Sequence, residues 1–373
     1  MRKIVVIFIL GFLGIFSLPA MAAKPIKIAA IFAKTGIAAV QNAAYIQVIE
    51  LAVEEINNKG GVLGRPVELI VLDNKSTPIG STLAAKEAVK LQVTAVIGSG
   101  LSSHSLAVAP ILQQEGIPMI TPVSTNPKVT HIGNYIFRVC FIDSFQGAAM
   151  AKFAYSDLGA RTAVVLRNID ETYCVTLGEY FLNAFKRYGG KVLLDGTYRG
   201  KAVDFSDLLK KTKKLGPDVV YIPGYTRDSG LIIKQAASIG VKATFLGGDA
   251  WAEIFKYAGK AANGSYHSAP WHPNVQFEKS IHLKNLYHQK YKKQITNTSQ
   301  PLSYDATIVM ADAIRRANSL DRSKIRDALA QTTDFQGATG NITFDEYGDP
   351  LGKEVIILKL EKGQRVYFKA IKP

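Results

Sequence analysis

Apolar positions along the chain fall into two alternating patterns. Short β-branched runs at Ile28 to Phe32, Val67 to Leu72, Ala95 to Ile97 and Met119 to Ile120 read as strands. Between them, Ala43 to Asn58, Leu83 to Leu91 and Leu106 to Gln114 repeat apolar residues at helical spacing. Asn57-Asn58-Lys59-Gly60-Gly61 stops the first helix with residues that tolerate a left-handed backbone, and Gly116-Ile117-Pro118 turns the third into its strand. Alternation of this kind predicts βαβ units, hence a parallel sheet covered by helices on both faces.

After Phe137 to Phe141 the pattern starts again. Helices are expected over Gln146 to Leu158, Leu177 to Tyr188, Phe205 to Leu215 and Gly230 to Ile239, with strands at Ala163 to Leu166, Val192 to Leu194, Val219 to Ile222 and Phe245 to Leu246. Further helices follow at Phe277 to Tyr291, Asp305 to Asn318 and Ser323 to Ala330. The chain ends in two antiparallel-looking strands, Val355 to Leu360 and Arg365 to Ala370, around the turn Glu361-Lys362-Gly363. With 373 residues, 47% of them hydrophobic, two cores are affordable. The expected fold class is therefore α/β, with two doubly wound parallel-sheet lobes.

The first 22 residues read differently. Arg2 and Lys3 precede an apolar run from Ile4 to Phe16 and then the small residues Ala20, Met21, Ala22 and Ala23, the layout of a cleaved secretory signal. That run is short for a bilayer span, and no later stretch approaches the roughly 20 apolar residues a membrane helix needs. A soluble exported chain is expected, and no cysteine at the cleavage site suggests a lipid anchor. Removing Arg2 and Lys3 takes the formal charge from +15 to +13. So basic a chain favours anionic partners, but its lysines are scattered rather than clustered, which suits a solvated surface better. Lys210, Lys211, Lys213 and Lys214 close a helical pattern, where cations are at home.

Several chemistries find no support. The two cysteines, Cys140 and Cys174, make no metal spacing, and whether they pair stays open. The six histidines form no metal motif, so neither metal nor cofactor is expected. Ser102 and Ser103 adjoin His104, but sequence neighbours rarely meet as nucleophile and base, and no acid is placed to orient the ring. His104 reads as a surface or capping residue, and no catalytic residue is assigned. Aromatics do not interleave with a basic stripe, so nucleic acid is not an expected partner.

In parallel sheets ligands bind beyond the carboxyl ends of the strands. There, Gly98-Ser99-Gly100-Leu101-Ser102-Ser103 leads into a helix, and Thr121-Pro122-Val123-Ser124-Thr125 follows the next strand. Their hydroxyls suit a carboxylate at the positive end of a helix, or simply cap it. In the second half, Tyr173, Tyr225, Asp249 and Trp251 follow strands, and a carboxylate among aromatics suits an ammonium. The two halves together suit a zwitterion such as an α-amino acid.

Ile56-Asn-Asn-Lys-Gly-Gly-Val-Leu-Gly64, Ile97-Gly98, Ile117-Pro-Met-Ile-Thr-Pro122, Phe137-Arg138, Gln146-Gly147, Asp204-Phe205, Gly247-Gly248-Asp249 and Phe344-Asp-Glu-Tyr-Gly-Asp349 run the length of the chain. With them the chain resembles the leucine/isoleucine/valine-binding protein family of ABC transporters. The resemblance implies a type I periplasmic binding fold with three crossovers, near Val139 to Asp143, Ser265 to Trp271 and Phe344 to Asp349. One lobe would comprise residues 24–140 and 271–345, the other 141–270 and 346–373. It also implies a periplasmic monomer that closes on a small solute and delivers it to an inner-membrane permease; a sensory module presenting its closed form to a receptor would use the same pocket. By the same resemblance, Ser102 and Thr125 hold the ligand carboxylate, the Val123 carbonyl accepts from the ammonium, Tyr173 and Tyr225 close over the ligand, and Asp249 stands where some members have Glu. Gln41 replaces an aromatic found in branched-chain binders, and Ser299 lies near where another would be. Both make the side-chain end of the pocket more polar.

Overall fold

The computed structural model describes residues 24–373; the expected leader, residues 1–22, lies outside the described residues. Five parallel strands form the first sheet: β1 (Ile26–Phe32), β2 (Val67–Asp73), β3 (Ala95–Gly98), β4 (Met119–Thr121) and β5 (Ile136–Arg138), in the spatial order β2-β1-β3-β4-β5. The second sheet is built on β6 (Thr162–Asn168), β7 (Lys191–Tyr198), β8 (Val219–Ile222), β9 (Thr244–Gly247) and β10 (Tyr266–Ala269), all parallel. A short hairpin pairs β11 (Phe335–Gly337) with β12 (Gly340–Ile342). The final strands, β13 (Val355–Glu361) and β14 (Gln364–Ile371), add antiparallel to the β10 edge, giving the order β14-β13-β10-β9-β8-β6-β7. The expected α/β fold with two parallel-sheet lobes is thus present, one sheet carrying an antiparallel edge.

Each sheet is buried on both faces, which explains its near-continuous apolar strands. On the first, Ile28, Ala30 and Phe32 point to the core shared with the helices Ala39–Asn58 and Gln300–Ala317, while Ala29 and Ile31 point to that shared with Pro78–Lys90 and Ser102–Gln114. The second sheet separates the core around Phe181, Phe185 and Tyr221 from that around Phe205, Ile232 and Trp251. The chain passes between the sheets after β5, after β10 and before β13. At the crossovers, Arg138, fully buried, donates from Nε to Asp349 at 2.5 Å and from Nη1 to the Ser124 carbonyl at 2.7 Å. A buried guanidinium held this way ties the passing strands together, because parting the pair would strand a charge out of water.

Several helices start a turn earlier than their apolar period implies, at Pro78, Ser102, Thr172 and Thr226. The helix expected over Gln146 to Leu158 is instead Asp143–Lys152 followed by the wider turn Phe153–Asp157. Cys140 and Cys174 are both free thiols, buried in different cores. His104 is no surface residue: it is 2% exposed, with Nδ1 3.2 Å from the Asn74 amide, and burial lowers its pKa to about 4. No described helix is long and apolar enough to cross a membrane.

Candidate functional site

Two strand ends in the first lobe set up one wall. β3 ends at Gly98, whose φ of +145° and close approach to β1 leave no room for a side chain: a Cβ there would lie 2.5 Å from the Ile31 carbonyl oxygen. The chain then turns through Ser99 to Leu101 into the helix Ser102–Gln114, whose N-terminus receives no capping side chain. Its first amides are left to whatever lies in front of them. The hydroxyls do other work. Ser105 Oγ accepts from the Ser99 amide at 3.0 Å and meets Ser124 Oγ at 2.7 Å, while Thr121 Oγ1 and Ser124 Oγ both donate to the Ser99 carbonyl. The loops after β3 and β4 are therefore braced against each other.

The second lobe supplies a carboxylate. Asp249 follows β9, and its Oδ1 accepts from Tyr173 Oη at 2.8 Å and from Gln146 Nε2 at 3.2 Å. Gln146 Oε1 in turn accepts from the Asp249 amide and from Ser268 Oγ. Both side-chain donors fall on Oδ1, so Oδ2 is left for another partner. Burial pushes the Asp249 carboxyl up to about 6, against the pull of Tyr173 and Gln146. Tyr173 stacks on Tyr225 at 5.4 Å between ring centroids.

These walls enclose a narrow cavity lined by Gln41, Tyr45, Gly100, Leu101, Ser102, Val123, Tyr173, Tyr225, Asp249, Ala250 and Ser299. Wider hollows lie around Tyr304 and Arg315 and around Lys256 and Arg365, both more open to solvent. The lobes touch across the cavity: Tyr225 packs on Ala33, Ala38 and Leu101, and Asn126 Nδ2 donates to Thr176 Oγ1 at 3.0 Å.

Of the ten residues singled out in the sequence, Gln41, Ser102, Val123, Tyr173, Tyr225 and Asp249 lie on this cavity. Four do not. Ser103, one step round the helix from Ser102, turns away and stays half-buried. Ser124 is consumed in the brace between loops. Trp251 is fully buried and folds back under β9 onto Gly247, within 6.2 Å of the His267 ring. It belongs to the second lobe's core and does not report on the cavity directly. Thr125 is 1% exposed, its Oγ1 has no hydrogen-bond partner, and its carbonyl accepts from the Asp143 amide at 2.8 Å.

Tyr45, Asp143 and Gln146 escaped sequence reasoning as site residues. Tyr45 lies one turn beyond Gln41 on the same helix face, and its hydroxyl accepts from Gln41 Nε2 at 2.9 Å. Asp143 is fully buried behind the cavity, and neither carboxyl oxygen has a well-formed hydrogen bond. Burial pushes it up to about 8, the Thr125 hydroxyl opposing and nearby Asp249 adding to the rise. Among the described residues, no group of His, Cys, Asp and Glu could hold a metal.

Gly248 decides how tightly Asp249 is held. A Cβ there would sit 2.2 Å from Tyr173 Oη and 2.9 Å from Gln146 Oε1, the two groups that orient the carboxylate. Gly248→Ala is expected to displace both and weaken solute binding at least about tenfold by calorimetry. An unchanged affinity would show that this orientation is dispensable.

The periplasmic binding protein family model matches residues 25–365. The chain belongs to that family. It is 32% identical over 339 residues to the leucine-, isoleucine-, valine-, threonine- and alanine-binding protein of Pseudomonas aeruginosa, covering 90% of this chain and 89% of that one. A leucine-binding protein of Thermotoga maritima superposes with a TM-score of 0.88 at 37% identity, over 93% of this chain and 99% of the other. The isoleucine-bound substrate-binding protein of a branched-chain amino acid transporter from Streptococcus pneumoniae gives 0.88 at 28% identity, over 94% and 100%. The resemblance to the leucine/isoleucine/valine-binding proteins, and the type I fold it implied, are both borne out.

Proposed function

We propose that this protein captures a free α-amino acid outside the inner membrane and, by closing its lobes, presents it to the permease of an ABC transporter. The observation that carries this reading is Asp249 Oδ2, a carboxylate oxygen of a largely buried side chain that has no protein donor and lines the same cavity as an uncapped helix N-terminus. The ligand carboxylate meets the first amides of the helix at Ser102 and the Ser102 hydroxyl, with Thr125 buried behind them. Its ammonium meets Asp249 and the Val123 carbonyl, with the stacked Tyr173 and Tyr225 rings alongside. Asp249 has one methylene less than the Glu of some relatives, so the ammonium sits closer to the second lobe or a water fills the gap. Contacts to both lobes favour the closed arrangement over any open one, the differential affinity that hinge closure requires. The protein acts as an exported monomer, residues 1–22 being its leader, and performs no chemistry on its cargo.

Gln41, Tyr45 and Ser299 at the side-chain end favour a polar amino acid or amide over a purely aliphatic one. In a thermal-shift panel of the common amino acids, glutamine, asparagine or threonine should raise the midpoint more than leucine, isoleucine or valine. The reverse order would refute the polar preference, and no response to any amino acid would refute the function.

A further inference from the structure

The C-terminal hairpin reaches across to the first lobe. Arg365, near the start of β14, sends Nη1 to the carbonyl of Ala252 and Nη2 to the carbonyl of Thr296 at 2.5 Å. These acceptors belong to different lobes. Ala252 lies beside Trp251 in the second lobe, three residues beyond Asp249, whereas Thr296 adjoins Ile295, which packs with Val48 and Leu51 of the first lobe. Thr296 is also three residues ahead of Ser299 on the cavity wall. One guanidinium thus joins the two loops that bring Asp249 and Ser299 to opposite sides of the cavity. Its fixed fork suits two carbonyls at once. Arg365 makes no salt bridge among the described residues; the Glu253 carboxylate acts on it only from beyond contact distance. Beside it, residues of both lobes line a solvent-open hollow.

We propose that Arg365 is an interlobe strut that holds the ligand in by stabilising the closed arrangement without touching it. The inference rests on hinge closure as proposed above. The bond to Ala252 lies within one lobe and survives opening; the bond to Thr296 spans the lobes and breaks when they part. Arg365 then acts on the lifetime of the complex, and the path for ligand entry is unaffected.

The test is to titrate wild type, Arg365→Gln and Arg365→Lys with threonine, glutamine and leucine by calorimetry. Dissociation rates are followed by stopped flow, and thermal midpoints are taken without ligand. Arg365→Gln should weaken the best ligand about tenfold, almost wholly through faster dissociation, with Arg365→Lys between it and wild type and the unliganded midpoints within about 2 °C of one another. Affinity unchanged in Arg365→Gln, or a loss carried by slower association or matched by a collapsed unliganded midpoint, overturns the strut while leaving the binding function intact. A wild-type protein that binds no amino acid overturns the function itself, and the strut with it.

Discussion

Asp249→Asn should lower affinity for the bound amino acid on the order of 100-fold while leaving the empty protein as stable as wild type or more so. The amide keeps the shape and an acceptor for Tyr173, but it cannot balance a buried ammonium, and removing one partner of such a pair costs about 2–5 kcal/mol. Stability moves the other way because the carboxyl is strained by burial. With its pKa raised to about 6, keeping Asp249 ionised in the empty fold costs about 3 kcal/mol relative to the unfolded chain. Calorimetry reads the first effect and thermal melts at pH 8 the second. Affinity within threefold of wild type would take Asp249 out of the ammonium site.

The unliganded protein is expected to melt several degrees lower at pH 8.5 than at pH 6.5, and saturating ligand should narrow the difference. Asp143 is pushed up to about 8 and Glu171 to about 7, both by burial. A carboxyl with a raised pKa favours the fold while protonated, so its contribution is complete below the unfolded value and lost as pH rises through the folded one. The window starts at pH 6.5 because His104 and His267, lowered by burial to about 4 and about 3, destabilise the fold with the opposite sign below it. A ligand ammonium near Asp249 offsets the lesser, coulombic part of the rise at Asp143, so affinity should climb modestly over the same interval. Asp143→Asn should flatten most of the melting profile over this interval, because the smaller fall from Glu171 is opposed by Lys353, which burial lowers to about 8. A profile of wild type that is flat or rises from pH 6.5 to 8.5 would refute this account.

How much of this was legible follows from where each signal resides. Strands such as Val219–Ile222 announce themselves because both faces of the sheet are buried, and apolar runs admit few other readings. Tyr266–Ala269 carries no such run, only Tyr-His-Ser-Ala, and its place in the sheet follows from pairing with β9 on one side and with the distant β13 on the other. Three-residue strands with Gly337 and Gly340 in their turn are too short for any period to show. The site was legible where ligand-facing residues follow strands, as Ser102, Val123 and Asp249 do. That rule also caught Trp251, because position after a strand does not say which way a side chain turns; a glycine at 247 lets the indole fold inward. Asp143 and Gln146 were invisible as site residues because what matters about them, proximity to Asp249, is set by the crossover and separates them from it by 106 and 103 residues in sequence.

Cys140 and Cys174 sit in separate cores with their thiols raised far above the ordinary range by burial, so neither is a nucleophile at neutral pH. The native molecule is consequently expected to react little with maleimides. A single cysteine placed on the rim of the second lobe, at exposed Val203 for instance, would then be the one site of attachment for a fluorophore, and the cargo could be metered optically without removing any natural residue of the interior.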